Sequence, residues 1–139
     1  MRMLLVVVAL ALGTIAAGAQ QYPDKQIQLI VPFPPGASTT VAARAVADSM
    51  SADLGKPIVV LNRGGAFGLI GTHDIAKAAP DGYTIGWCND GPIGTVTAGM
   101  RKAGKEPPYG GHSFTPIARV GYVTFVLVVR RSLPVPSIG

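Results

Sequence analysis

The stretch Ile30-Val-Pro-Phe-Pro-Pro-Gly-Ala-Ser-Thr-Thr-Val-Ala-Ala-Arg44 constrains this chain more than any other. Its apolar run ends at Pro32, Pro34 and Pro35, which cannot donate to a sheet ladder, and a helix-forming run begins past the Pro/Gly elbow. A strand feeding straight into a helix is the first half of a parallel crossover. Residues 26–31, 58–61 and 83–87 read as strands, and the stretches between them carry helical patterns. The rhythm is β-α-β-α-β with short connections, which predicts right-handed crossovers and an α/β fold on a mostly parallel sheet.

The first helix starts at the elbow, where Ser38 or Thr39 is placed to cap it. Ala42, Val46, Met50 and Leu54, with Ala45 beside them, suggest its buried face, and Gly55 before Lys56-Pro57 marks its stop. Residues 62–68 read as a turn, 72–79 as a second helix and 80–82 as a turn. A small-residue segment up to Met100 is a short helix candidate, and residues 102–113 read as loop. Residues 117–122 and 125–130 have strand composition, followed by an extended tail.

The first 19 residues read as an export signal rather than as part of a fold. Arg2 precedes an apolar run over residues 3–12, and Ala17-Gly-Ala19 offers a small-residue cleavage site. The run falls short of the ~20 residues a spanning helix needs. Export would place the mature chain outside the cytoplasm. There the lone Cys88 has no partner for an internal disulfide and reads as a small buried hydrophobe.

The net charge of +5 is scattered, with only Arg101, Lys102 and Lys105 close together, so no basic stripe for nucleic acid exists. His73 and His112 lack ligand spacing with Cys, Asp or Glu, so no metal or other cofactor is expected. There is no Gly-x-Ser-x-Gly elbow and no phosphate-binding lysine loop. Gly65, Gly68 and Gly71 lack dinucleotide-loop spacing. Ser38 sits in a strand–helix turn, but nothing in the sequence supplies it with a base, and no enzyme is expected.

Two elbows remain. Parallel sheets bind ligands where loops leave the carboxyl ends of strands, and residues 34–40 and 89–92 occupy such places. Each offers backbone N–H groups and small polar side chains suited to an anion. Each is also what a tight turn looks like, and a small exported interaction or adaptor module without a ligand is the alternative.

Further motifs favour the ligand. Tyr22-Pro-Asp-Lys25, Ile30-Val-Pro-Phe-Pro-Pro-Gly36, Asn62-Arg63, Ala76-Lys-Ala-Ala-Pro-Asp-Gly-Tyr-Thr84, Phe114-Thr-Pro-Ile117 and the run from Val126 to Pro134 follow one another in a recognisable order. In these the chain resembles the substrate-binding proteins of tripartite tricarboxylate transporters, also called Bug or TctC-type extracytoplasmic solute receptors. The resemblance implies a periplasmic Venus-flytrap fold of two α/β domains that closes on a small carboxylate, a di- or tricarboxylate or an amino acid. It also implies delivery to membrane permease subunits. Carried over by position, the ligand-binding residues are Pro34, Gly36, Ala37, Ser38, Thr40, Asn89, Asp90 and Gly91. Ala37, Thr40 and Phe67 stand where the family usually has glycine, aspartate and glycine.

The family's mature chains are more than twice as long. The resemblance therefore implies an N-terminal fragment: residues 1–19 as signal, 20–122 as an incomplete first domain and 123–139 as a crossover towards a second. With one wall of the cleft, such a chain is not expected to enclose its ligand alone.

Overall fold

The computed structural model describes residues 22–122, 124, 126, 128–130 and 132. The expected signal at residues 1–19 lies outside these. Strand β1 (Ile27–Val31) leads into α1 (Ser38–Leu54), then β2 (Ile58–Asn62), a 3-10 turn (Ala66–Gly68), α2 (Leu69–Lys77) and β3 (Thr84–Gly86). A π-helical stretch (Gly91–Val96) runs into α3 (Thr97–Lys102), and a second 3-10 turn covers Gly111–Ser113. The sheet has the order β2-β1-β3 with both pairings parallel, Ile27 opposite Ile58 and Gln28 opposite Thr84. The α/β class and parallel sheet are those the sequence implies.

The alternation along β1 sorts the two faces. Ile27, Leu29 and Val31 pack with Ala43 and Ala47 of α1 and with Ile58, while Val60, Tyr83, Ile85 and Trp87 close in from the sides. Ile30 points the other way, on the face where Ile75 of α2 fills the space over Gly86, the register partner of Ile30. The two helices therefore cover opposite faces, as right-handed crossovers leading to opposite sides of β1 require.

The buried face of α1 only overlaps the one its sequence suggested, at the half-buried Val46 and Met50, of which Met50 packs against the core. Thr40, Ala43 and Ala47 are buried, whereas Ala42 and Ala45 are exposed and Leu54 lies at the rim. Alanines around the whole circumference leave the period weakly marked, and the methyls at 43 and 47 give the closest approach to the sheet. The helix stops at Gly55 (φ 65°), as expected, with its N–H donating to Ser51 O at 3.0 Å. The Ser51 hydroxyl donates to Ala47 O and accepts from Ile58 N–H, which ties the helix end to the start of β2.

Two further expectations shift. Helix α2 starts at Leu69, three residues before the expected Thr72, because Gly68 at φ 87° turns the chain directly into it. Residues 117–122 form no strand, nor do the described residues among 125–130. Ile117, Val120, Tyr122, Val126 and Val128 stay exposed. Composition marks a segment as fit for a sheet, but a strand also needs an edge to pair with, and these residues pair with neither β2 nor β3.

Candidate functional site

All three strands end at the same edge of the sheet, so the three loops after them share one rim. The loop after β1 departs to the α1 face on one side, and the chain after β3 departs on the other. Adjacent strands whose connections diverge leave a crevice between their carboxyl ends, which is the usual ligand position in such sheets. Residues 34–40 and 89–91 follow the two neighbouring strands β1 and β3 at that edge.

The first elbow turns at Gly36 (φ 86°), with Ala37 N–H reaching back to Pro34 O at 3.4 Å. Ala37, not Ser38 or Thr39, is the N-cap of α1. Its extended backbone starts the helix, no side chain caps it, and the first turn holds no acidic residue. Thr40 N–H and Val41 N–H both reach Ala37 O, so the amides of Ser38 and Thr39 are the first-turn donors without an intrahelical acceptor. They stand at the positive end of a 17-residue helix. Pro34, Gly36 and Ser38 are exposed around them and Ala37 is half-buried.

Thr40 sits beneath the elbow rather than at its mouth. It is buried, its hydroxyl donates to Pro34 O at 3.2 Å, and it accepts from Asn62 Nδ2 at 2.8 Å. The same Asn62 nitrogen donates to Phe33 O at 2.8 Å. Asn62, at the end of β2, thus latches the loop after β1 from the neighbouring strand. The apolar run 58–61 ending on a carboxamide is the signal that could have found it.

The second elbow is built otherwise. Trp87 N–H pairs with Ile30 O, then Asn89 Oδ1 accepts from Gly91 N–H at 3.1 Å. That Asx turn uses the Gly91 amide internally and leaves the Asn89 NH2 group to face other partners. Asp90 is exposed, and Gly91 and Pro92 are buried as the π-helical stretch begins. Pro92 O accepts from the Tyr109 hydroxyl at 3.0 Å. Tyr109, in a segment the sequence marks only as loop, is 5% exposed and edges Phe114 at 5.6 Å.

Beneath this elbow lie Cys88 and Thr72. Burial pushes the Cys88 thiol up to about 11 and raises Tyr109, while Thr72 nearby tempers both. The Thr72 hydroxyl is fully buried and makes no hydrogen bond of good geometry. A thiol held neutral in this way is a packing group, not a nucleophile.

The loop after β2 joins the two elbows. Residues 65–68 all have positive φ, including the non-glycines Ala66 (47°) and Phe67 (55°). Left-handed backbone costs an ordinary residue about 1–2 kcal/mol. The turn is held in that state by its neighbours: a methyl on Gly68 would lie 3.3 Å from Pro32 O and 3.2 Å from Pro92 Cγ. Next, a methyl on Gly71 would stand 2.3 Å from Arg63 O and 2.8 Å from Pro32 Cα, so helix α2 crosses under the first elbow only because position 71 has no side chain. Among the described residues no group of His, Cys, Asp and Glu is arranged to hold a metal ion.

Comparison with known proteins bears on this rim. Residues 42–138 match the family described as Tripartite tricarboxylate transporter family receptor, TctC. Protein BugT of Bordetella pertussis is 40% identical over 142 aligned residues, which cover 99% of this chain and 43% of that protein. A UPF0065 protein of Bordetella bronchiseptica is 34% identical over 137 residues, 98% of this chain and 40% of its own length. The chain therefore spans about two fifths of these relatives. A solved structure described as that of a periplasmic transporter is 44% identical and superposes with a TM-score of 0.53, over 64% of this chain and 29% of that one.

Proposed function

The chain belongs to the tripartite tricarboxylate transporter receptor family, and from that premise we propose that it is a periplasmic solute receptor that holds a small carboxylate at the crevice between β1 and β3. The carrying observation is the start of α1: a long helix whose first free amides, on Ser38 and Thr39, have neither a side-chain cap nor an acid in the first turn. A carboxylate oxygen accepting from those amides would complete the helix terminus and meet its positive dipole end. Gly36 and Ala37 shape the seat, Pro34 and Thr40 hold it from below, and the free NH2 of Asn89 is the side-chain donor from the opposite elbow. Asp90 and Gly91 fix that elbow's geometry. Bridging water would complete the ligand's shell without an arginine.

Delivery to membrane permease subunits follows the family, as does export with cleavage after Ala19. Residues 20–122 would then form one wall of a cleft and the segment from 123 onward would lead towards the opposite one. The exposure of Pro34, Gly36 and Ser38 means that the described rim alone leaves a ligand open to solvent. Binding by this chain should accordingly be weak, about millimolar rather than micromolar.

Nuclear magnetic resonance of the nitrogen-15-labelled mature chain tests the reading. Titration with acetate should shift the amides of Ser38 and Thr39 first and the Asn89 side-chain NH2 next, and should leave residues near Gly55 unmoved. Shifts scattered over Lys and Arg positions, with Ser38 and Thr39 still, would remove the α1 seat and favour non-specific ion pairing.

A further inference from the structure

Beyond β3 the sheet edge is open. Tyr83 O accepts from Gln28 N–H and Trp87 N–H donates to Ile30 O, each at 2.8 Å, so residues 83, 85 and 87 turn their backbone groups towards β1. Those of Thr84 and Gly86 face the other way, where no further strand of the described residues lies. Such an edge is a template for another strand. Ile85 is the register partner of Leu29 and so shares the α1 face, and there Tyr83, Ile85 and Trp87 are only half-buried. The same chain carries a strand-like segment without a sheet. Val120, Tyr122, Val126 and Val128 stand at even positions with Thr124 among them, and their exposures run from 58% to 83%. That period of two puts them on one face of an extended segment.

We propose that two copies of this chain exchange these segments, residues 120–129 of each adding a strand to the β3 edge of the other. Both halves of the pairing lie on one chain, so a two-fold arrangement fills both edges at once and closes. Charge selects the edge. Exposed Arg119 and Arg130 bracket the segment. Exposed Asp81 and Asp90 bracket β3, although one Asp81 oxygen already accepts from Tyr83 N–H. The half-buried Lys56 and the exposed Arg63 bracket β2. In either strand direction each arginine therefore meets an acid at β3 and a like charge at β2. Asp24 and Lys25, which both lie against Tyr83, offset each other. The β2 edge is also partly taken, since Ile58 N–H donates to the Ser51 hydroxyl. At β3 the incoming strand gains backbone partners on Thr84 and Gly86, and its apolar side chains lose their water against Tyr83, Ile85 and Trp87. The exchange does not depend on the amides of Ser38 and Thr39.

Sedimentation equilibrium of the mature chain should show a dimer whose share rises with concentration. Hydrogen exchange at the Thr84 and Gly86 amides should slow by about tenfold or more as the dimer forms. Val126→Pro with Val129→Pro places proline at both parities of the segment, so one ladder donor is lost in any register. These residues pair with no strand of their own copy, so the single chain should fold as before while dimerisation weakens about tenfold or more. Arg119→Glu with Arg130→Glu should also weaken the dimer about tenfold at low salt, and less at 1 M salt, where the Debye length is about 3 Å. A dimer that survives the proline pair with Thr84 and Gly86 still exchanging fast would overturn the exchange. Species that keep growing with concentration would overturn its closed two-fold form. A chain monomeric at every concentration would overturn it as well and leave the β3 edge to a different polypeptide.

Discussion

At the elbow after β1 the polar side chains lie underneath: Thr40 and Asn62 bind the loop's carbonyls from within and leave the helix amides facing outward. At the elbow after β3 the arrangement is reversed. The Asn89 side chain folds over its own loop, takes the Gly91 amide, and an acid stands exposed beside it. Both elbows follow a parallel strand and both precede a helical segment. One leaves the Ser38 and Thr39 amides without an intrahelical acceptor and the other largely satisfies itself. The strand order makes them neighbours, but which side chain serves the backbone decides what each can bind.

The supports differ as well, and breaking them separates the two elbows. The largest effect is expected where helix α2 passes under the first elbow. Gly71→Ala drives a methyl into Arg63 O and Pro32 Cα, and should destabilise the chain by about 3 kcal/mol. Urea unfolding measures it, and loss below about 1 kcal/mol would mean that α2 shifts freely under the first elbow. Next comes the latch. Asn62→Leu leaves Phe33 O and Thr40 without their donor and should cost about 2 kcal/mol. Tyr109→Phe removes one bond to Pro92 O and should cost about 1 kcal/mol. Amide shifts should localise the first change to residues 33–40 and the second to residues 89–92. Equal disturbance of both elbows by either variant would show that they move as one body.

A pH titration probes the packing under the second elbow. Below about pH 9 the Cys88 thiol is neutral in both the folded and the unfolded chain. Between about 9 and 11 the unfolded chain releases that proton while burial keeps it on the folded one. The folded state then binds more protons, so stability falls as pH rises through this window. The loss should be of the order of 1 kcal/mol once the partial exposure of the thiol is discounted. Cys88→Ala should flatten the part of the slope below pH 10, where the raised Tyr109 has not begun to contribute. An unchanged slope would place the titrating group elsewhere.

The sequence made the three sheet strands, the first helix from its elbow to Gly55, and the parallel crossovers legible, because each rests on local grammar: apolar runs, proline stops and a glycine cap. The buried face of α1 was only partly legible, since an alanine-rich helix shows little contrast between its sides. The two elbows could be located from Pro32 to Gly36 and from Asn89 to Pro92, but not their opposite chemistry. That depends on Asn62 and Tyr109, which come from 29 and 17 residues away along the chain to the atoms they bind. The left-handed turn at Ala66 and Phe67 was equally hidden, because neither residue favours that backbone and only the packing of Gly68 and Gly71 imposes it. Residue identity marked where a site could form, and long-range contacts decided which groups point into it.

The smallest effect bears most directly on the contrast between the elbows. If the second elbow limits anion binding through the Asp90 charge, then Asp90→Asn should strengthen acetate binding at the α1 seat by about twofold. The gain is small because Asp90 is exposed and water screens its carboxylate. It should therefore shrink further towards 1 M salt, where the Debye length is about 3 Å. Asn is close in shape and keeps the Asx turn of Asn89 intact, so a shape effect would not vary with salt. A salt-independent gain would point to altered loop geometry, and weaker acetate binding in Asp90→Asn would mean that the Asp90 side chain supports the geometry of the seat instead of repelling the anion. In that last case the β3 elbow would be a support of the seat and not a barrier to it.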